Sequence, residues 1–388
     1  MITWRTGKVV SLGRHWNGAQ ELQVHDSQGN TIRALAYPHL IGPLEQGDHV
    51  ALNSTALDRG LGTGGYALVA AVLTDRGAAE RPPHTAGHLV KARYTPTQAM
   101  VLGVDEQESP HHDTMREATD LNGLPVVTAD LHSALPAIIT GIEHATPTPL
   151  NIVYIMTDGG ALPAWFSRTI DALRSSGRIS ATITTGQAYG GDYEAATIHT
   201  GLLAAEHVLH ADIALVIQGP GNLGTGTPWG FSGIHVGEVL NATHILGGQP
   251  IASLRVSGAD ARPRHQGISH HSLTAIGRAT LAPATVICPE TTSAAWLEEV
   301  IRNSDALPAP TILELISQQI SDLSAQAPHH IYHHEPLEEE LHQALTQSPI
   351  PLSTMGRRYS ADPLAFLTAA LSGVYAAQSA QARRTNNS

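Results

Sequence analysis

At 388 residues, with 42% hydrophobic and 14% charged side chains, the chain is long enough for two or three domains and too apolar to be disordered. Its formal charge of −12, from 22 Lys+Arg against 34 Asp+Glu, argues against nucleic acid as a partner, but leaves room for a small anion at a local cluster of arginines and backbone N–H groups. Lys8 and Lys91 are the only lysines, so no glycine-rich loop carries the lysine of a Walker-type NTPase, and no pyridoxal cofactor is expected.

The single cysteine, Cys288, ends an apolar run and reads as a buried small hydrophobe. No basic segment leads into an apolar stretch at the N-terminus, and no run approaches a membrane span, so a cytoplasmic location without membrane contact is expected.

Residues 1–90 read as a small β-barrel. Glu21-Leu22-Gln23-Val24-His25 and Thr31-Ile32-Arg33-Ala34-Leu35 alternate polar and apolar around the turn Asp26-Ser27-Gln28-Gly29-Asn30, which is a hairpin pattern. Leu44 to Val50 feeds another strand, and Leu61-Gly62-Thr63-Gly64-Gly65-Tyr66 is a glycine-rich turn before the strand Ala67 to Leu73. Arg76 to Gly87 reads as a linker, or as an excursion that lets His88 to Tyr94 run beside the barrel.

Residues 91–310 read as a Rossmann-like, mostly parallel α/β domain. Short apolar strands at 124–127, 151–156, 179–184, 212–217, 250–256 and 285–287 alternate with helical stretches at 131–144, 163–175, 193–209, 232–246 and 271–281. Residues 311–388 form a helical C-terminus that completes or flanks this domain, with helix from Leu364 to Arg383 and a disordered end from Arg384 to Ser388.

Chemistry is expected where the strands end. Gly219-Pro220-Gly221-Asn222-Leu223-Gly224-Thr225-Gly226-Thr227 follows a strand and precedes a helix, so Gly219, Gly221, Asn222, Gly224, Thr225 and Gly226 are candidate ligand-binding residues whose amides can approach an anion. Pro228 and Trp229 delay the helix, and the next acidic residue, Asp260, comes later than a dinucleotide fingerprint requires. The stretch Asp260 to Ser272 ends the following strand. There Arg262 and Arg264 offer forked donors, and His265, His270 and His271 offer acids, bases or metal ligands.

Asp130, Asp158 and Asp192 each follow a strand near a helix start. Each reads first as an N-cap, but joint placement on one edge makes Asp158 a candidate catalytic group and Asp130 and Asp192 candidate ligand contacts. Ser109-Pro110-His111-His112-Asp113 reads as a polar turn, and His329, His330, His333 and His334 as a surface segment. Lys91-Ala92-Arg93-Tyr94 is placed to reach the crevice from the barrel side.

Taken together, Met156-Thr157-Asp158-Gly159-Gly160-Ala161-Leu162-Pro163, the Gly219 loop and Arg264-His265-Gln266-Gly267-Ile268-Ser269-His270-His271-Ser272 resemble a bacterial family of conserved hypothetical proteins, a domain of unknown function in Gram-positive lineages. The resemblance covers the chain up to about residue 290. It implies a bacterial cytoplasmic protein and supplies no activity.

The residues themselves support an enzyme, a hydrolase or transferase acting on a small anionic, phosphorylated or nucleotide-like metabolite. A non-catalytic metabolite-binding module and a structural oligomer-forming protein are the alternatives. A divalent metal is compatible with the histidines but not required by them, and the oligomeric state stays open.

Overall fold

A computed structural model describes residues 1–62, 64–75, 86–289, 295–333 and 339–386. The N-terminal strands β1 (Trp4–Trp16), β2 (Ala19–Asp26), β3 (Thr31–Ala36), β4 (His49–Asn53) and β5 (Ala67–Val72) close into a five-stranded barrel in the order β1-β2-β3-β5-β4. Closure depends on β1, which pairs with both β2 and β4 and changes register between Val9 and Ser11 and again between Leu12 and His15. Such irregularities bend a strand enough for it to serve two neighbours. Alternate residues Leu22, Val24, Ile32, Ala34, Val50 and Leu52 point inward and fill the barrel.

Two short strands, β6 (Leu89–Lys91) and β7 (Ala99–Val101), pair with each other and with no barrel strand. Most of the expected linker (76–85) and Thr63 of the glycine turn lie outside the described residues.

The larger domain is built on β8 (Pro125–Ala129), β9 (Ile152–Thr157), β10 (Ala181–Thr184), β11 (Tyr193–Glu194), β12 (Ile213–Gln218) and β13 (Gln249–Ser253). A small hairpin, β14 (Val256–Ser257) with β15 (Gly267–Ile268), stands outside the sheet before β16 (Thr285–Cys288) and β17 (His330–His333) complete it. The eight strands run in the order β11-β10-β9-β12-β8-β13-β16-β17, and every pairing is parallel.

Both faces of this sheet are covered, which explains why its strands read as unbroken apolar runs. Val127 and Ala129 of β8 pack with the Leu135–Ala145 and Pro363–Asn386 helices, while Val126 packs on the other face with the Ile198–His207 and His235–Ile245 helices. The chain moves outward from β8 to β11, then returns to insert β12 between β9 and β8 before crossing to β13. Crevices form beyond the carboxyl ends of the strands at such a reversal.

Several expected boundaries move. Tyr193 and Glu194 extend the sheet as β11, and the helix begins only at Ile198, where Thr197 and Thr200 form a reciprocal cap. Residues 163–175 divide into a 3-10 turn, Ala164–Phe166, and the Arg168–Ser175 helix capped by Ser167. The helix after β12 starts with a 3-10 turn, Ser232–Ile234, and the one expected at 271–281 is an α turn, His270–Thr274, running into a π turn, Ala275–Ala279.

The histidine segment 329–333 does lie at the surface, with His330 and His333 exposed, but as regular structure. His330–His333 is the edge strand β17, and His329 Nε2 lies 2.8 Å from the Ile276 carbonyl; His334 lies outside the described residues. Arg384 to Asn386 are helical rather than disordered, because the Arg384 guanidinium pairs with Asp212; residues 387–388 lie outside the described residues.

The barrel is seated on the larger domain through Trp165. Trp16 Nε1 donates to the Trp165 carbonyl at 2.7 Å, and the Trp165 ring meets Tyr37, His39 and Tyr189. Among the described residues no helix is long and apolar enough to cross a membrane.

Candidate functional site

A cavity of about 460 Å³ opens beyond the carboxyl ends of β8, β12 and β13. The strand-end loops supply most of its wall: Leu131 to Ser133 after β8, Gln218 to Gly224 after β12, and Arg255 just past β13. Arg262, His265 and His271 form another side, and Ser353, Thr354 and Met355 close over it from the C-terminal region. The Gly219 loop and the Arg262 to His271 stretch therefore share one hollow.

The Gly219 loop is held in place by a close approach that only glycine permits. A Cβ on Gly160 would lie 2.1 Å from the Gly219 carbonyl oxygen, and Ala161 N donates to Pro220 O at 2.7 Å. Thus Gly159-Gly160, read from the sequence as part of a motif, packs the β9 loop against the β12 loop. Beyond Pro220 the chain makes its own small hairpin. Thr225 N donates to Gly230 O at 2.7 Å, Ser232 N to Leu223 O at 2.9 Å, and Ser232 Oγ to Asn222 Oδ1 at 2.6 Å. The Gly221, Asn222 and Gly224 N–H groups are left without a partner among the described residues. Thr225 bonds to Thr227 and Gly230 and does not line the cavity, nor does Gly226.

The arginines are organised by one carboxylate. Asp260, 2% exposed, accepts from Arg262 Nε at 2.9 Å and Nη2 at 2.8 Å, and from Arg357 Nη2 at 3.1 Å. The Arg262 fork, with Arg357 beside it, holds the Asp260 carboxyl well below the usual carboxylate range. Arg357 Nε also donates to the buried Asp362 at 3.1 Å. Arg262 thus commits one fork, Nε and Nη2, to Asp260, and Arg264 is exposed and outside the cavity wall.

Arg255 is different. Its side chain is only 9% exposed, and its closest carboxylate oxygens, on Asp130 and Asp260, stand at 3.7 and 4.0 Å. Among the described residues its guanidinium makes no hydrogen bond of ordinary length, although it borders the cavity. Asp130 lies behind it, buried, with Oδ2 unpartnered; burial raises its carboxyl above the usual range, opposed by the Arg255 charge.

The three histidines cluster. The ring centres of His265, His270 and His271 lie 4.9, 4.9 and 4.3 Å apart, and one donor atom of each falls within 4.8 Å of the others. Burial, with the positive field of Arg255 and Arg262, pulls His265 down to about 3. Burial and the neighbouring His270, together with Arg255, pull His271 down to about 3 as well, and His270 is lowered by burial and Arg264. In all three the surroundings favour the neutral ring. Ser269 caps the following turn by accepting from His271 N at 3.2 Å, and its Oγ lies 2.7 Å from His265 Nδ1.

The three aspartates do not cap helices, although capping is the simplest reading of each. Asp158 accepts from Gln187 N at 2.9 Å, faces His235 Nε2 at 3.8 Å, and does not line the cavity. Asp192 ties the sheet edge together, accepting from Thr182 N at 2.8 Å and pairing with Arg174 at 3.0 Å. Asp130 stands behind Arg255. Lys91 is buried and donates to the Ala188 and Ala195 carbonyls at 2.9 and 3.0 Å, so it anchors β6 rather than reaching the crevice. His112 Nδ1 bonds the Asp105 carbonyl at 2.8 Å, away from the cavity. Cys288 is buried, and burial pushes its thiol up to about 12, which leaves it inert.

Sequence reasoning missed Arg255, Arg357, His132 and the C-terminal hairpin. The hairpin pairs β18 (Ser353–Thr354) with β19 (Arg357–Arg358) through a turn in which Met355 and Gly356 both have positive φ, 48° and 80°. Its anchor is a hydrogen bond from Ser133 Oγ to Thr354 Oγ1 at 2.9 Å.

A family model described as protein of unknown function, DUF3866, matches residues 33–373. The chain belongs to the DUF3866 family. No curated protein matches it. The family match runs past the expected limit near residue 290 and takes in every element that lines the cavity, including the C-terminal hairpin.

His132, on the cavity wall, gives a pH prediction. Its Nε2 lies 2.7 Å from Ser167 Oγ, its Nδ1 lies 3.3 Å from the Tyr154 hydroxyl, and that hydroxyl donates to Ile217 O at 3.0 Å. A neutral ring satisfies this chain of bonds with Nδ1–H donating to Tyr154 and Nε2 accepting from Ser167, and burial pulls the imidazole down from 6.5 to about 4. The unfolded chain takes up this proton below about 6.5, so stability is full above that pH and falls as pH drops toward 4, by about 1.4 kcal/mol per unit. Denaturant titrations between pH 7 and 5 should show a shallower dependence for His132→Gln, by about one proton. Identical slopes would remove His132 as the cause.

Proposed function

We propose that this cavity binds a small anionic metabolite, phosphorylated or nucleotide-like, and that the protein is an enzyme that hydrolyses it or transfers a group from it. The observation that carries the reading is Arg255: a nearly buried guanidinium at the cavity wall whose donors find no acceptor at ordinary distance. Arg255 presents its charge at the cavity wall without an ordinary-length hydrogen bond to the protein, and an anion in the cavity would supply acceptors for it. Gly221, Asn222 and Gly224, whose amides have no partner among the described residues, line the same cavity.

His265 and His271 border this space, which puts neutral imidazoles beside the anion site. Asp158 and Asp192, engaged elsewhere, are no longer part of the reading. The test is thermal stabilisation by nucleoside phosphates, sugar phosphates and dicarboxylates, followed by a turnover assay on each hit. At a hundred times its dissociation constant a bound anion should stabilise the fold by about 2.7 kcal/mol, readable as a rise of a few degrees in Tm. Stabilisation with turnover supports an enzyme, stabilisation alone makes it a sensing module, and no stabilisation by any anion overturns the site.

A further inference from the structure

We propose that His265, His270 and His271 hold one divalent transition-metal ion of the zinc class, with an open coordination position turned toward the anion site. Three imidazoles with a free fourth position are a recurrent catalytic arrangement for such ions. The metal binding itself stands independently of the anion reading; only the identity of the fourth ligand rests on it.

Two of the donors are unexplained otherwise. His270 Nε2 and His271 Nδ1 are buried atoms without a hydrogen-bond partner. A buried polar atom left without a partner is costly, and a metal ion would offset that cost. The remaining ligand is prepared by its neighbour. With His265 Nδ1–H donating to Ser269 Oγ, which lies 2.7 Å away, the lone pair of that ring would stand on Nε2. His271 is held flat against Phe231, with ring centres 3.9 Å apart and planes inclined by 1°. His265 is thus held by a hydrogen bond and His271 by stacking, while His270 is the half-buried one of the three, at the start of its helix.

One ring nitrogen of each histidine lies within 4.8 Å of the others. A tetrahedral ion with bonds of about 2.0–2.1 Å needs them about 3.4 Å apart, so the rings must close by up to about 1.4 Å.

Charge determines the fourth ligand. Three neutral imidazoles leave the ion with both positive charges, and Arg255, Arg262 and Arg264 add to the local field. An anionic fourth ligand, either hydroxide or an oxygen of the metabolite, resolves this, and one bridging the metal and Arg255 would resolve it best. Binding of metal and anion is then mutually reinforcing: phosphate tightens the metal and the metal tightens phosphate by the same factor.

Cobalt(II) makes the test visible. Protein stripped with a chelator and titrated with Co²⁺ should develop the intense visible bands of a four-coordinate ion, saturating at one per chain and bleached by Zn²⁺. His270→Ala, at the most exposed of the three positions, should weaken binding by about a hundredfold or more while leaving the thermal melt of the metal-free protein intact. His271→Gln should do the same, and His330→Ala, on the edge strand, should change nothing. Adding inorganic phosphate should tighten Co²⁺ in the wild type and not in Arg255→Met.

Visible bands that survive both His270→Ala and His271→Gln, or no bands at all, would overturn the metal site. If Co²⁺ fails to bind while phosphate still binds through Arg255, the metal proposal falls and the anion site stands. If Co²⁺ binds as expected and phosphate has no affinity for the protein with or without it, the metal site stands and the anion site falls.

Discussion

Arg255→Met is expected to reduce affinity for phosphate-bearing ligands by roughly ten- to a hundredfold, corresponding to about 1.5–3 kcal/mol for hydrogen bonds to a charged group. The expectation follows from how differently the nearby arginines are satisfied. Arg262 already forks onto Asp260, and Arg357 bridges Asp260 and Asp362, so neither has its full set of donors to offer. Arg255 reaches its nearest carboxylates only at 3.7 and 4.0 Å and faces the cavity.

Methionine keeps the length and apolar stem of the side chain while removing the fork. It also strips Asp130 of its neighbouring charge, but burial already favours the protonated form of that carboxyl, which limits the cost to stability. Arg255→Lys should recover only part of the affinity, because a point charge cannot reproduce planar, forked donation. Isothermal titration with pyrophosphate checks both variants. Arg264→Met, at an exposed position outside the cavity wall, is the companion control expected to bind normally.

The largest effect on stability is expected at the crossing of the two helices beneath the site. A Cβ on Gly373 would lie 1.9 Å from the Ile138 carbonyl oxygen, and one on Gly141 would lie 2.0 Å from that of Ala370. In each case the obstacle is backbone, which cannot rotate away as a side chain can. The Leu135–Ala145 and Pro363–Asn386 helices would have to separate, opening gaps among Ile138, Ile142, Phe366 and Ala370 in the core. Gly373→Ala should therefore cost about 3 kcal/mol or more and lower Tm by about 4 °C or more. Gly224→Ala, where an added methyl meets nothing within 4 Å, should leave Tm unchanged. A Gly373→Ala protein melting within about 2 °C of wild type would mean that the helices pass with more clearance than described.

The architecture was legible because it is written in periodicity. Alternation in residues 21–35 marks half-buried barrel strands, and the β-branched runs that become β9, β12 and β13 mark a sheet buried on both faces. What sequence could not supply was pairing order. Nothing in residues 193–197 distinguishes a sheet-edge strand from the first turn of a helix; only the parallel register of Tyr193 with Ile183 decides it. The edge strand His330–His333 was hidden for the same reason, since its histidines read as polar surface.

The site was half legible. Gly219 to Gly224 and His265 to His271 were found because glycine loops and histidine clusters at strand ends have local signatures. Arg255 left a weaker one: a lone charged residue between Leu254 and Val256, in a run otherwise buried, at the carboxyl end of a strand. Such a charge needs a partner, and the later Asp260 offers one only through the fold. The aspartates misled because proximity to a strand end in sequence does not set direction. Asp192 turns back to Thr182 along the sheet edge, and Asp158 turns to Gln187. The C-terminal hairpin is separated from the glycine loop by more than a hundred residues, and only the packing of the Pro363–Asn386 helix against β8 and β13 returns the chain to the cavity.

The most direct test of the anion site is a crystal structure of the protein soaked in pyrophosphate. Density for the anion should lie in the cavity within hydrogen-bond distance of the Arg255 guanidinium and the amides of Gly221 to Gly224. Density found only at exposed positions such as Arg264, with Arg255 instead hydrogen-bonded to Asp130 and Asp260 and the hollow closed, would contradict the account.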